Sequence, residues 1–436
     1  MPVGSNSGLN PSAISRLPCC HARRSPESLH IPVVRFKRQV RTMQGDMSGN
    51  DDATELARRA LAHFQNRTTD RAPGQMRLPA AAYADPERYA REVQRVFREL
   101  PIAIALSLEL PEPGSYKAET LMGIPLLVTR DESGTAHAFL NVCRHRGAIV
   151  CPAGSGRRKR FACPYHAWTY DLEGKLVGVY AAESFGEVDR ETRPLTELHC
   201  AERAGVIFAC LTPGIAFDID AWLGDFKAKL DSLALDDWVV YEQRELDGPG
   251  WKATLDGYLE VYHHDSVHRS TVGQYTIGNL LVHDVYGPHQ RLTFGRRNLP
   301  ELETLPESEW RPDDYIRIIH SVFPNLSISG IVGGHCLVSQ IFPGPTHETT
   351  VTRQTVLCST AEQTPEWQDA ARTFSEMTLQ AVRDEDYAVV ATIQAALPAN
   401  ANEEFLIGRN EPGVQHYHRT VDRVMNGDVS ALRGAP

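Results

Sequence analysis

The sequence predicts an α+β protein with two domains, a small all-β unit followed by a larger α+β unit. Between residues 116 and 179, short apolar runs at 124–128 and 136–142 alternate with turn residues such as Asp131, Ser133 and Gly134, the pattern of a small β domain. Strand-like runs recur over 315–358. A long helical tract then opens at Thr364-Pro365 and runs to about Leu397, with apolar surface from Phe374, Met377, Ala381, Val389, Val390 and Ile393. The Gly/Pro-rich stretch 247–250 leads into a helical segment over 251–262, and this change of pattern sets the expected domain limits at 73–230 and 231–430.

The first domain is expected to open with a helix. Asp85 supplies an N-cap and Pro86 the first helical position, after which Tyr89, Val93, Val96, Phe97 and Leu100 share one face, read as core. Upstream, residues 1–50 lack hydrophobic periodicity, are rich in Arg, Ser, Pro and Gly, and carry Glu27 as the only acid before Asp46. They are expected to form a disordered tail. An organelle transit peptide and a misassigned start, with Met43 or Met47 beginning the chain, both account for it.

Composition narrows the partners. The 45 basic residues against 55 acidic ones give a net charge of −10, which gives no electrostatic support to a nucleic-acid partner. Apolar runs such as 206–211 and 102–106 fall far short of the ~20 residues that span a bilayer, so no membrane partner is expected. Nine cysteines, sparse and odd in number, argue against a secreted disulfide scaffold and for a reducing compartment, the cytoplasm.

Cysteine spacing carries the first chemistry. Cys143-Arg144-His145 is followed after seventeen residues by Cys163-Pro164-Tyr165-His166, so two loops each offer one thiolate and one imidazole. A Cys₂His₂ zinc finger groups like ligands together. A Rieske [2Fe–2S] cluster needs the mixed partition, two thiolates on one iron and two imidazoles on the other. The imidazoles raise the reduction potential relative to an all-cysteine cluster, which makes the centre an electron relay. Gly154 and Gly156 lack the third glycine and the strand-to-helix setting of a dinucleotide site, so NAD(P)H is expected to be oxidised elsewhere. The run Arg157-Arg158-Lys159-Arg160 reads equally as a dock for an acidic redox partner and as a solvated loop.

The runs C-R-H-R-G-A and C-P-Y-H-A-W-T-Y-D-L-E-G-K-L resemble the Rieske domain of ring-hydroxylating oxygenase large subunits. Respiratory Rieske proteins carry further cysteines where Ala148 and Tyr165 stand here. The resemblance extends from about residue 80 to Arg423 and includes I-G-R-N-E-P-G-V-Q-H-Y-H near the end. For the larger domain it implies an antiparallel sheet of helix-grip type.

A second constellation lies in Glu260-Val261-Tyr262-His263-His264-Asp265-Ser266-Val267-His268. Two histidines and a carboxylate on one face of Fe(II) leave positions for O₂ and substrate. His263 and His268 are five apart, a step of ~140° around a regular helix, so the helix must distort or end if both reach one iron, and His264 is then expected to point elsewhere. The resemblance supports this pair and implies that the carboxylate is Asp386, in the run Asp384-Glu385-Asp386-Tyr387; the spacing alone leaves Asp384 and Glu385 open. It also implies that Glu260 bridges His263 to a Rieske histidine, His166, of a neighbouring subunit. The alternative is that Glu260 only orients His263 within its own subunit.

The expected activity is that of a terminal oxygenase: O₂ is consumed with electrons from an NAD(P)H-dependent reductase, with or without a ferredoxin, to hydroxylate an aromatic substrate. A homotrimer is expected, with room for a small beta subunit. The apolar runs 316–319, 326–332 and 337–342 are read as pocket material or, with more weight, as sheet core. Quaternary-amine oxygenation within the same family, or electron transfer without oxygenation, are the alternatives.

Overall fold

The structure is a computed structural model that describes residues 48–332, 334–359, 364–427 and 432. The expected tail lies outside the described residues up to residue 47, and Ser48 already opens a helix, Ser48–Asn66. Among the described residues no helix is long and apolar enough to cross a membrane.

The smaller part is antiparallel β structure, as expected. A five-stranded sheet runs in the order Glu197–Leu198, Ala136–Leu140, Ile124–Arg130, Ser115–Leu121, Gly154–Arg157, and the short strands Phe161–Ala162, Thr169–Tyr170 and Leu176–Gly178 form a second sheet beside it. Their shared core gathers Tyr116, Leu127, Phe139, Phe161, Trp168 and Tyr170 with Cys143 and Cys163.

The larger part is built on a seven-stranded antiparallel sheet. Its order is Trp238–Pro249, Thr349–Ser359, His335–Pro343, Leu326–Val332, Ile316–Val322, His289–Arg296, Thr276–Tyr286. Directly paired residues share a face. Ile328, Val338 and Thr355 lie on one face, which the Ile102–Leu106 strand covers through hydrogen bonds from Asn325 and Gln340 to the Ala103 carbonyl. The opposite face carries Ser327, Ser339 and Gln354 and is covered by the helices Trp251–Tyr258, Pro365–Leu379 and Tyr387–Ala396. Both faces are buried, which is why these strands read as nearly continuous apolar runs.

The predicted N-cap is present: Asp85 accepts from the backbone N–H groups of Glu87 and Arg88 and opens the helix Pro86–Glu92. The chain continues as a π-helical turn, Val93–Arg98, whose wider repeat turns Glu92 inward beside the expected core residues Val96, Phe97 and Leu100. Glu92 there meets Lys252 at 2.5 Å, an ion pair buried at both ends. Thr364 likewise caps Pro365–Leu379 by accepting from Trp367 N. The segment expected to be helical over 251–262 stops at Tyr258.

Glu92→Ala is expected to destabilise the protein by about 3–5 kcal/mol, because it strands the Lys252 charge. The double substitution Glu92→Leu/Lys252→Met should recover most of that loss. Urea unfolding of the three proteins checks this, and a single variant as stable as the parent would exclude a structural role for the pair.

Candidate active site: two convergent ligand clusters

The two Cys/His loops fold alike. Cys143 N donates to Ala148 O and Gly147 N to Cys143 O (2.8 and 2.9 Å), while Cys163 N donates to Trp168 O and Ala167 N to Cys163 O at the same distances. Each loop needs a left-handed residue four positions after its cysteine, Gly147 (φ 77°) in one and Ala167 (φ 55°) in the other. This repeated turn aims both cysteines at one point. Both thiols are buried, and the Tyr170 hydroxyl lies 3.5 Å from Cys143 Sγ. Burial, and then the neighbouring Cys143, raise the pKa of the Cys163 thiol.

The histidines complete the cluster. The rings of His145 and His166 lie edge to face at 4.8 Å, with His145 stacked on Trp168 at 4.9 Å. His166 Nδ1 is buried with no hydrogen-bond partner among the described residues, while Arg146 Nη2 donates to its Nε2 at 2.7 Å. Two adjacent buried thiols and an orphaned imidazole nitrogen make a donor set that fits an iron–sulfur cluster.

The second cluster is assembled from two segments. Helix Trp251–Tyr258 ends, and a new turn, His264–Val267, begins with His263 at its N-cap and His268 at its C-cap. Glu260 sets that turn by accepting from the backbone N–H groups of Tyr262 and His263. The break lets residues five apart converge. His263 Nε2 and His268 Nε2 lie 3.1 Å apart, and Asp386 Oδ1 lies 3.5 and 3.1 Å from them. Asp386 arrives from the end of a π-helical turn, Gln380–Asp386, between the two long helices.

Each imidazole is held from behind by a carboxylate. His263 Nδ1 bonds Glu260 Oε1, and His268 Nδ1 bonds Glu385 Oε2 at 2.8 Å. Ser270 and Thr271 hydroxyls donate to the same Glu385 carboxylate. Asp384 pairs on the surface with Arg383. Of the three acids left open by spacing, only Asp386 faces both Nε2 atoms, and Glu385 has a backing position that the sequence reading did not assign. Three successive helical acids point three ways, but nothing in their spacing says which of them faces the histidines.

Electrostatics fit a cation. Burial opposes the charged His263 ring, yet hydrogen bonds to Asp386 and Glu260 hold its pKa up at about 10. Burial opposes the Asp386 carboxylate as well, and His263 and His268 outweigh it and keep the pKa low. A site that grips a proton this firmly, with two nitrogens and one oxygen converging, fits a divalent iron.

His264 corrects one expectation. It does not point away: its ring lies 5.0 and 5.4 Å from those of His263 and His268, so three imidazoles present donor atoms within 4.8 Å of one another. It is buried, packs on Phe294 at 5.3 Å and bonds Thr276 Oγ1 through Nδ1, because the four-residue turn His264–Val267 tucks its first residue against the sheet. The expected apolar pocket is also altered. On the helix-covered face, Ser321, Ser327, Ser339 and Gln354 form a polar row across four strands.

Comparison with known proteins places the chain. Residues 101–190 match the Rieske [2Fe-2S] domain and residues 235–427 match the ring hydroxylating alpha subunit catalytic domain. The chain belongs to the Rieske non-haem iron oxygenase large-subunit family, an oxidoreductase family with a [2Fe–2S] domain and a mononuclear-iron catalytic domain. It is 31% identical over 226 residues to the glycine betaine monooxygenase oxygenase subunit of Chromohalobacter salexigens, covering 51% of this chain and 48% of that one. Over 233 residues it is 30% identical to the anthranilate 1,2-dioxygenase large subunit of Acinetobacter baylyi, covering 50% and 49%. The chain thus spans about half the length of the curated relatives it matches. In fold it resembles a quaternary ammonium Rieske monooxygenase in complex with L-carnitine (TM-score 0.69, 20% identity, 82% of this chain and 97% of that one). It also resembles naphthalene 1,2-dioxygenase from Rhodococcus sp. bound to indole (0.67, 22%, 86% and 98%).

Glu385→Ala is expected to weaken mononuclear iron binding by about 10–100-fold, since a lost backing carboxylate frees the His268 ring. Asp384→Ala should leave it unchanged. Iron titration of the apoprotein, with the visible spectrum of the cluster as an internal control, checks both; equal losses in the two variants would remove the distinction.

Proposed function

We propose that this chain is the terminal oxygenase of an electron-transfer system, with its Rieske domain within residues 73–230 and its catalytic domain within 231–430. In the proposal Cys143, His145, Cys163 and His166 hold the [2Fe–2S] cluster, and His263, His268 and Asp386 hold the iron. The observation that carries it is the convergence of two Nε2 atoms and Asp386 Oδ1 within 3.5 Å, each imidazole backed by its own acid. When bound, the cluster supplies single electrons and the iron supplies O₂ activation.

The protein's share is positional. Glu260 and Glu385 accept from the Nδ1 atoms, which fixes the tautomer and turns both Nε2 lone pairs to the common point. The seven-stranded sheet and the helices over it keep bulk water from that point. Glu260 bonds within its own chain, Oε2 accepting from two backbone N–H groups, yet Oε1, which accepts from His263 Nδ1, keeps a second lone pair, so the proposed bridge to His166 of a neighbouring copy stays chemically open. Head-to-tail packing into a homotrimer, with or without a small beta subunit, would bring relay and reactor together. Electrons come from a separate NAD(P)H-dependent reductase in the cytoplasm, directly or through a ferredoxin.

An aromatic substrate is proposed, supported by the likeness to the anthranilate 1,2-dioxygenase large subunit. The likeness to a glycine betaine monooxygenase subunit favours a quaternary amine as the second reading.

Asp386→Ala is expected to lose one iron per chain and all product while keeping the cluster spectrum, and Glu260→Gln to keep both metals but slow single-turnover electron transfer. Iron and acid-labile sulfide analysis, with stopped-flow spectroscopy, reads both. Iron no greater than the cluster's own in the parent protein would leave an electron carrier in place of an oxygenase.

A further inference from the structure

Arg317 stands where a charge is hardest to keep. It lies on Ile316–Val322, is 7% exposed, and among the described residues forms no ion pair, the charges of Asp313 and Asp314 acting on it only at longer range. Its Nη1 donates to the backbone carbonyls of Asp313 and Ile316, while Nε and Nη2 have no partner among the described residues. Burial, and then the Arg296 charge, push its pKa down to about 9. Arg296 is also held by a backbone carbonyl, that of Asp314 at 2.8 Å, and also lacks an ion pair. Two carbonyl bonds tie the chain locally but do not neutralise a guanidinium, and Asp313 and Asp314 offset its charge only in part, so its free edge stays open to an anion.

Its direction is set by register. Arg317 is paired with Phe294 and so shares the face on which the Phe294 ring packs against His264, beside His263 and His268. On the same face the Ser327 hydroxyl is buried without a partner among the described residues, and the Ser339 hydroxyl and Gln354 amide nitrogen have only the Tyr258 hydroxyl of the covering helix to turn to. Tyr258 also feels the charge of Asp386. The face that meets the metal cluster at Phe294 thus carries a buried guanidinium with an open edge and a row of polar side chains.

We propose that this face binds a carboxylate-bearing substrate, with Arg317 as the residue that takes the carboxylate and Arg296 reinforcing its charge. A planar carboxylate fits the free edge of the guanidinium with two parallel bonds. The substrate's skeleton then lies along Phe294 towards the three converging ligands. Calling the anion a substrate rests on the oxygenase reading; the anion site does not.

The test is isothermal titration of the full, metal-loaded chain with benzoate and with glycine betaine, against benzamide and choline, which lack the carboxylate. The expected result is that one acid binds and its counterpart does not, the acid that binds telling aromatic from quaternary-ammonium substrates. Arg317→Met should weaken that acid by about 100-fold and Arg317→Lys by about 10-fold, since lysine keeps the charge but loses the fork. Removing an unpaired charge should leave the melting temperature of ligand-free Arg317→Met at or above the parent's. Equal affinity for acid and counterpart, unchanged affinity in Arg317→Met, or no binding of either acid overturns the proposal. Carboxylate binding lost in Arg317→Met, with no oxygen incorporated by either protein, would keep the anion site and remove the oxygenase reading. Oxygen incorporation into a neutral substrate without carboxylate affinity would do the opposite.

Discussion

A carboxylate and two imidazole nitrogens facing one point repel or desolvate one another unless a cation lies between them, and the larger domain is arranged around that constraint. In the metal-free chain a proton takes the place, which is why His263 holds one up to about pH 10 while Asp386 stays ionised despite burial. Bringing the three together requires two departures from regular helix. The first is the stop after Tyr258, where Glu260 turns the chain by taking the next backbone N–H groups; the second is the π-helical turn that ends at Asp386. Both departures are stabilised by neighbours that also act on the ligands, since Glu260 and Glu385 each hold an imidazole from behind.

The smaller domain meets a different requirement, two soft ligands and two harder ones around one cluster. It meets it by folding one turn twice. The cysteine ends sink into the core around Phe161 and Tyr170, while His145 and His166 stay nearer the surface, with Tyr165 59% exposed beside them. The imidazole end therefore faces outward, where a neighbouring chain can approach.

Much of this was legible in the sequence because ligand chemistry fixes residue type and spacing. The two Cys-x-His and Cys-x-x-His pairs, the five-residue step from His263 to His268, and the helix start at Asp85-Pro86 each carry their reason locally. Tertiary context hid the rest. Spacing could not separate Asp386 from Glu385, because the π turn that divides their directions leaves no mark in the composition. The helix Ser48–Asn66 was missed because its buried stripe is narrow, Leu56, Ala57, Ala60 and Leu61, and its docking depends on distant ion pairs from Asp52 to Arg291 and Lys229. The strands over 316–342 read as apolar because two faces were superimposed; only register separates Ile328 and Val338 from Ser327 and Ser339.

That polar row has an energetic meaning. A buried hydroxyl or amide without a partner costs about 1–3 kcal/mol, and on this face Ser327 has none among the described residues while Ser339 and Gln354 have only the Tyr258 hydroxyl to turn to. A fold under no other demand would have placed alanine or valine there, as the opposite face does with Val338. The arrangement persists at little cost only if something polar completes it, water or a bound ligand. A hydrocarbon against this face would leave those atoms unpaired and displace their water, a cost that the carboxylate substrate proposed above would avoid.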